Sequence, residues 1–210
     1  MQYAIVSARP SRSFPDGDAF LQKASAFDAA DIVLYNGVAV KQDPKKAAVL
    51  IELLDECLTE HIDDREPTNA NVLGFARYRN GDDPPSQLVE LVRHRNSSES
   101  AIAAARQLFE AVGLTVVVCG DQVGRIVSRL VVPKYNAALR FLDEGLASQS
   151  DMDLTCKAGL GYPDGPIERV LRGGIGNYYG LSKALFEAYG APAYAPPRAA
   201  AVAFRRGRHG

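Results

Sequence analysis

Apolar positions along the chain follow two rhythms, and the change between them falls near residue 121. Before it, short apolar runs are separated by stretches with helical spacing. Residues 3–6, 31–35, 72–75, 88–92 and 114–119 read as strands, the last stopped by Gly120-Asp121. Phe20, Ala24 and Phe27 predict a helix over 18–29. Asp43-Pro44 is a good helix start, a capping side chain followed by proline. The stripe of Ala47, Leu50, Ile51, Leu54 and Leu58 then predicts a helix to about residue 60. Residues 61–71 are polar, contain Pro67 and read as a loop. Ser97 or Ser98 caps a helix that carries Ile102, Ala105, Phe109 and Val112 on one face and ends at Gly113.

Past residue 122 the spacing is helical throughout. A long helix is predicted over about 123–147, bent by Pro133. Val123, Ile126, Val127, Leu130 and Val131 share one side of it, and Ser128 sits at the edge of that stripe, where its hydroxyl can bond the carbonyl four residues back. Ser148 or Ser150 caps a short helix to about 157, and Gly159 to Gly165 make a tight connection. Further helices are predicted over 166–171, 178–189 and 197–204, followed by the basic tail 205–210, read as a solvated terminus. An α/β half followed by an all-helical half predicts two domains, 1–121 and 122–210.

Composition narrows the class. An apolar fraction of 47% suffices for a core, and a net charge of −1 gives no pull toward nucleic acid or anionic membrane. No apolar run approaches the length of a membrane span, and residues 1–8 lack the pattern of a signal peptide. Cys57, Cys119 and Cys156 are odd in number, far apart and without a CxxC pair, which reads as reduced thiols in a cytoplasmic protein with no metal site.

Several segments carry a family resemblance. Gly124-Arg125-Ile126-Val127-Ser128-Arg129-Leu130-Val131-Val132-Pro133 is similar to the G-[FR]-[IV]-V-N-R-x-[LV]-x-P segment of the 3-hydroxyacyl-CoA dehydrogenases, the 3-hydroxybutyryl-CoA dehydrogenase type. Val72-Leu73-Gly74-Phe75 resembles the strand leading to that family's catalytic H-F-F-N-P. Leu88-Val89-Glu90-Leu91-Val92 resembles the strand bearing its catalytic glutamate. Ala137-Ala138 through Glu144-Gly145, Asp151-Met152-Asp153 with Gly159 to Glu168, and Tyr194-Ala195-Pro196-Pro197 resemble successive motifs of its helical domain. The resemblance implies an α/β reduced Rossmann-like domain followed by an all-α domain like the C-terminal domain of 6-phosphogluconate dehydrogenase. The first 121 residues look like the reduced segment in the second half of duplicated family members.

The departures are as informative. The family's dinucleotide site needs a strand, G-x-G-x-x-G at a helix start and an acidic residue after the next strand. Here the first strand leads into Ser7-Ala8-Arg9-Pro10-Ser11, without a glycine. The glycines at 159–165 and 173–176 do not stand in that context. Phe75-Ala76-Arg77-Tyr78-Arg79-Asn80 replaces the segment with the base histidine, and neither alanine nor a charged arginine can take a hydroxyl proton. Gly81 stands where the family has proline, and Ser128 where it has an active-site asparagine. The catalytic positions implied by resemblance are thus Glu90 and Ser128, read as vestigial, with Glu90 held by an arginine such as Arg77 or Arg93; His61 and His94 are the replacement bases to consider.

Three functions stay open. The first is a non-catalytic member of fatty-acid or aromatic-acid β-oxidation, binding no NAD by itself, that dimerises or completes an acyl-CoA cleft. Its partner is a second copy or a full-length dehydrogenase. The second is an NAD-dependent enzyme with a borrowed cofactor domain, and the third is an acyl-CoA binding module.

Overall fold

The computed structural model describes residues 1–207, and Arg208, His209 and Gly210 of the predicted tail lie outside the described residues. The chain forms two compact units. One comprises Met1–Arg79 with Pro85–Arg125; the other comprises Asn80–Pro84 with the residues from Ile126 onward.

The first unit is built on a six-stranded sheet in the order β1-β2-β3-β4-β5-β6. The strands are β1 (Tyr3–Ser7), β2 (Ile32–Asn36), β3 (Ala48–Glu52), β4 (Val72–Arg77), β5 (Leu88–Arg93) and β6 (Thr115–Gly120). The first four are parallel, β5 is antiparallel to β4, and β6 is parallel to β5. The predicted helix over 43–60 is a correction: its centre is β3, a strand buried at every position. Ala48 and Leu50 face one side of the sheet, Val49 and Ile51 the other. A strand buried on both faces reads as a continuous apolar run, which also satisfies helical spacing. Asp43 caps a turn instead, its Oδ1 accepting from the Lys45 N–H at 3.0 Å. The helix predicted over 18–29 shrinks to one turn, α1 (Ala19–Gln22), and a 3₁₀ turn at Phe27–Ala29. Ser25 diverts the chain, with its N–H and hydroxyl both on the Tyr3 carbonyl of β1.

Helix α2 (Glu99–Glu110), capped by the Ser98 hydroxyl on the Ala101 N–H, covers one face of the sheet. Beneath it Phe14, Phe20, Phe75 and Phe109 pack together, with Phe14 and Phe20 stacked at 4.0 Å between centroids. The opposite face is covered by Leu53, Leu58 and Ile62 from the β3–β4 connection and by Val38 and Val40 from the β2–β3 connection. Gly74 leaves room for the Leu53 side chain, whose Cδ1 a β-carbon there would overlap.

This distribution fixes the hands of the crossovers. Every crossover steps the same way across the sheet. The β2–β3 and β3–β4 links lie on one face, whereas α2, linking strands of reversed direction, lies on the other; these three share one hand. The β1–β2 link, through Phe14 and Phe20, packs on the α2 face and has the opposite hand. Crossovers between parallel strands are right-handed in nearly all sheets, so this link is the irregular one. In a doubly wound sheet the chain turns outward after β1 and returns later. Here it crosses to β2 directly.

The second unit contains α3 (Ile126–Asp143), α4 (Gln149–Leu160), α5 (Pro166–Arg172), α6 (Ile175–Tyr189) and α7 (Arg198–Gly207). Two motifs explain its packing. Pro133, inside α3, has no N–H to give the Arg129 carbonyl. The Tyr194 hydroxyl donates to that carbonyl instead, at 3.4 Å, and the Tyr178 hydroxyl from α6 reaches Asn136 Oδ1 at 2.5 Å and Val132 O at 3.0 Å. Buried Asn136 donates to Ser182 Oγ and Ala193 O, Ser182 donates to Tyr194 O, and Arg140 donates to Pro192 O and Ala195 O. Residues 192–195 thereby tie α3 to α6. The second motif is Asp153 on α4, only 5% exposed, whose two oxygens accept from the Ile167 and Glu168 N–H groups at 2.9 and 3.0 Å. It caps α5 from another helix, and Gly165 leaves it room, since a β-carbon there would overlap its carboxylate.

Candidate functional site

Glu90 lies in the middle of β5 and is 2% exposed. Its antiparallel partner in β4 is Ala76, and its parallel partner in β6 is Val117. Side chains alternate across a strand. The residue sharing the face of Glu90 is therefore Ala76, and Arg77 points away. Arg77 is buried among the aromatics of the α2 face. Its Nη1 donates to Ser13 O at 2.7 Å, its Nε to Ser86 O at 2.8 Å, and its guanidinium sits 5.1 Å from the Phe14 ring centre. Burial lowers its pKa from the ordinary value, and Asp18 at 3.9 Å opposes that shift. The expectation that Arg77 or Arg93 holds Glu90 is corrected: Arg77 occupies the other face, and Arg93 is exposed and pairs with Glu99.

Cys119, partly buried, lies on the same side of the sheet as Glu90. Burial pushes the Cys119 thiol up to about 11, and the charge of Glu90 adds to the effect while Arg125 opposes it. Cys119 is thus expected to stay unlabelled when the folded protein is treated with iodoacetamide at pH 8, with full labelling once it is unfolded. Peptide mass spectrometry showing rapid labelling of Cys119 in the folded state would contradict this packing.

Arg125, which spacing alone did not single out, is 5% exposed and donates to Glu56 O at 3.2 Å. Gly124 before it takes a φ of +64° and donates its N–H to Asp55 O. The first two residues of the Gly-Arg-Ile-Val-Ser-Arg segment therefore anchor the loop after β3, and the rest opens α3. Ser128, on the first turn of α3 in the second unit, is half-buried, and no side-chain bond to the Gly124 carbonyl forms.

Neither candidate histidine stands beside Glu90. His94 is buried, with Nδ1 accepting from the Asn96 N–H and Nε2 donating to Asn69 O at 3.1 Å. His61 pairs with Glu56 at 3.4 Å. Among the described residues no group of three or more His, Cys, Asp or Glu is placed to hold a metal ion. Asn80-Gly81 pack within the helical unit, where Asn80 donates to Arg169 O. Gly81 has a φ of +57°, and a β-carbon would lie 2.7 Å from the Gly173 backbone. Proline, fixed near −65°, has no place there.

Residues 124–210 match the 3-hydroxyacyl-CoA dehydrogenase C-terminal domain family. A probable 3-hydroxyacyl-CoA dehydrogenase of Caenorhabditis elegans is 39% identical over 103 residues, covering 49% of this chain and 31% of its own length. The human mitochondrial hydroxyacyl-coenzyme A dehydrogenase is 30% identical over 190 residues, covering 81% of this chain and 59% of its own. The chain belongs to the 3-hydroxyacyl-CoA dehydrogenase family. The fold agrees: a 3-hydroxybutyryl-CoA dehydrogenase structure from Escherichia coli superposes with a TM-score of 0.75 at 21% identity, over 86% of this chain and 40% of that one. The chain spans about three fifths or less of the length of these curated relatives.

The 3-hydroxyacyl-CoA dehydrogenase family is NAD-dependent, and a dinucleotide cradle would lie at the end of β1. Strand order never reverses, so the sheet has no switch point of the kind that holds a dinucleotide. Ser7 bonds the Arg9 carbonyl, and Arg9 Nε donates to Asn36 Oδ1 at 2.7 Å while its side chain lies on Gly37. The following helix, α1, is one turn long and starts eleven residues after Ala8. These residues do not form the cradle.

Proposed function

We propose that the chain is a non-catalytic member of its family in acyl-CoA β-oxidation, whose helical unit pairs with another subunit. The observation that carries this reading is Ala76 facing Glu90. A 3-hydroxyacyl dehydrogenation needs a base for the hydroxyl proton; a methyl group occupies the position beside the glutamate, and the nearby arginine points to the other face. The order of the sheet supports the same conclusion for the cofactor. Pairing is supported by exposed apolar side chains in the helical unit, with Leu130 71%, Leu146 69%, Leu160 63% and Leu154 59% exposed. The partner is a second copy of this chain or a full-length dehydrogenase.

The purified chain is expected to give no binding heat with NADH and no NADH oxidation with acetoacetyl-CoA. Light scattering at micromolar concentration is expected to return twice the chain mass, and Leu130→Glu to shift it toward monomer. Saturable NADH binding with turnover overturns the non-catalytic reading, and a monomer that Leu130→Glu leaves unchanged overturns self-pairing.

A further inference from the structure

A cavity of about 210 Å³ opens at the carboxyl ends of β1, β2 and β3. That is the end of an open α/β sheet at which ligands bind. It lies on the α2 face, opposite Glu90. Its walls are largely apolar, formed by Ile5, Phe14, Leu34 and Phe75. One acid is built into it. Glu52, the last residue of β3, is 2% exposed. Its Oε1 accepts from the Ser13 N–H at 2.6 Å and the Ser11 hydroxyl at 3.0 Å. Its Oε2 accepts no hydrogen bond among the described residues, although Glu52 lines the cavity.

A carboxylate oxygen with no donor from the protein, on a residue this buried beside an apolar chamber, favours a ligand that brings a donor. The one cation on the lining, Arg9, donates its Nε to Asn36 and makes no hydrogen bond or ion pair with Glu52 among the described residues. The remaining charge on the lining is acidic, with Asp16 and Glu52 against Arg9. A carboxylate or phosphate would meet those acids, and a pure hydrocarbon would leave Oε2 unpaired. The volume suits a molecule well below drug size.

We propose that this cavity binds a small apolar primary amine, with its ammonium on Glu52 Oε2 and its hydrocarbon body between Phe14, Leu34 and Phe75. The probes are 2-phenylethylamine and 3-phenylpropionate, which share a phenyl body and differ in the sign of the head group. Calorimetry and thermal shift on the whole chain are expected to show saturable binding of the amine and none of the acid. Glu52→Gln is expected to weaken the amine at least tenfold. Because Glu52 also holds Ser11 and Ser13, Leu34→Phe provides a second variant: it fills the chamber, leaves that loop untouched, and is expected to abolish amine binding in a folded protein. Absence of saturable amine binding to the wild-type chain overturns the proposal. So does equal binding of the acid, or amine binding that survives both substitutions.

Discussion

Asp153→Ala is expected to destabilise the helical unit by about 3 kcal/mol, the largest loss from any single polar side chain in that unit. The carboxylate is nearly sealed and accepts two backbone N–H groups at the start of α5. Alanine removes both acceptors and leaves the Ile167 N–H buried without a partner. An ordinary exposed cap is worth about 1 kcal/mol, and the excess comes from burial, where water cannot replace the lost acceptor. For a unit of this size the change corresponds to a fall in Tm of roughly 15 °C. Asp153→Asn keeps one acceptor oxygen and is expected to lose about half as much. Thermal unfolding followed by circular dichroism measures both, and a shift below about 3 °C for the alanine variant would show that the inter-helix cap contributes little.

Arg77→Ala is expected to cost the sheet unit a similar amount, about 3 kcal/mol, for a different reason. The guanidinium supplies donors to Ser13 O and Ser86 O and lies over Phe14. Its removal orphans two carbonyls and opens space beside the aromatic cluster. Arg77→Met keeps the stem but no donor, so it should fall between alanine and wild type. Urea unfolding of the three proteins gives the order. If methionine matches wild type, packing rather than hydrogen bonding explains the residue. The same geometry predicts that Arg77→His gains no dehydrogenase activity, because position 77 faces away from Glu90; of the two positions, only 76 shares the face of the glutamate.

The helical unit was easier to read from sequence than the sheet unit. Several of its helices begin or end at a glycine or serine with a mechanical role, as at Ser148, Gly161 and Gly190. Helical spacing and local caps therefore carry the information. In the sheet unit β3 was misread because both of its faces are buried, which removes the alternation that marks a strand. The single turn of α1 was over-extended because Phe20 is held by long-range stacking on Tyr3 and Phe14, which spacing cannot distinguish from a helical stripe. Around Glu90 the residue types were legible but not their faces. Whether 76 or 77 meets Glu90 depends on the β4–β5 register, and the chain between those strands does not fix it. Arg125 was overlooked for a related reason: its partners lie in the loop after β3, far away in sequence.

The bonds made by residues 192–195 also set an order of events. Arg129 O, Asn136 Nδ2, Arg140 and Ser182 all wait for acceptors or donors from this short segment. Made from the N-terminus, the chain acquires α3 long before it acquires Tyr194. Until then the break left by Pro133 must be satisfied by water, and the polar pocket around Asn136 stays open. The helical unit thus closes by a latch made late in synthesis, whereas the six strands of the sheet unit are complete by residue 120.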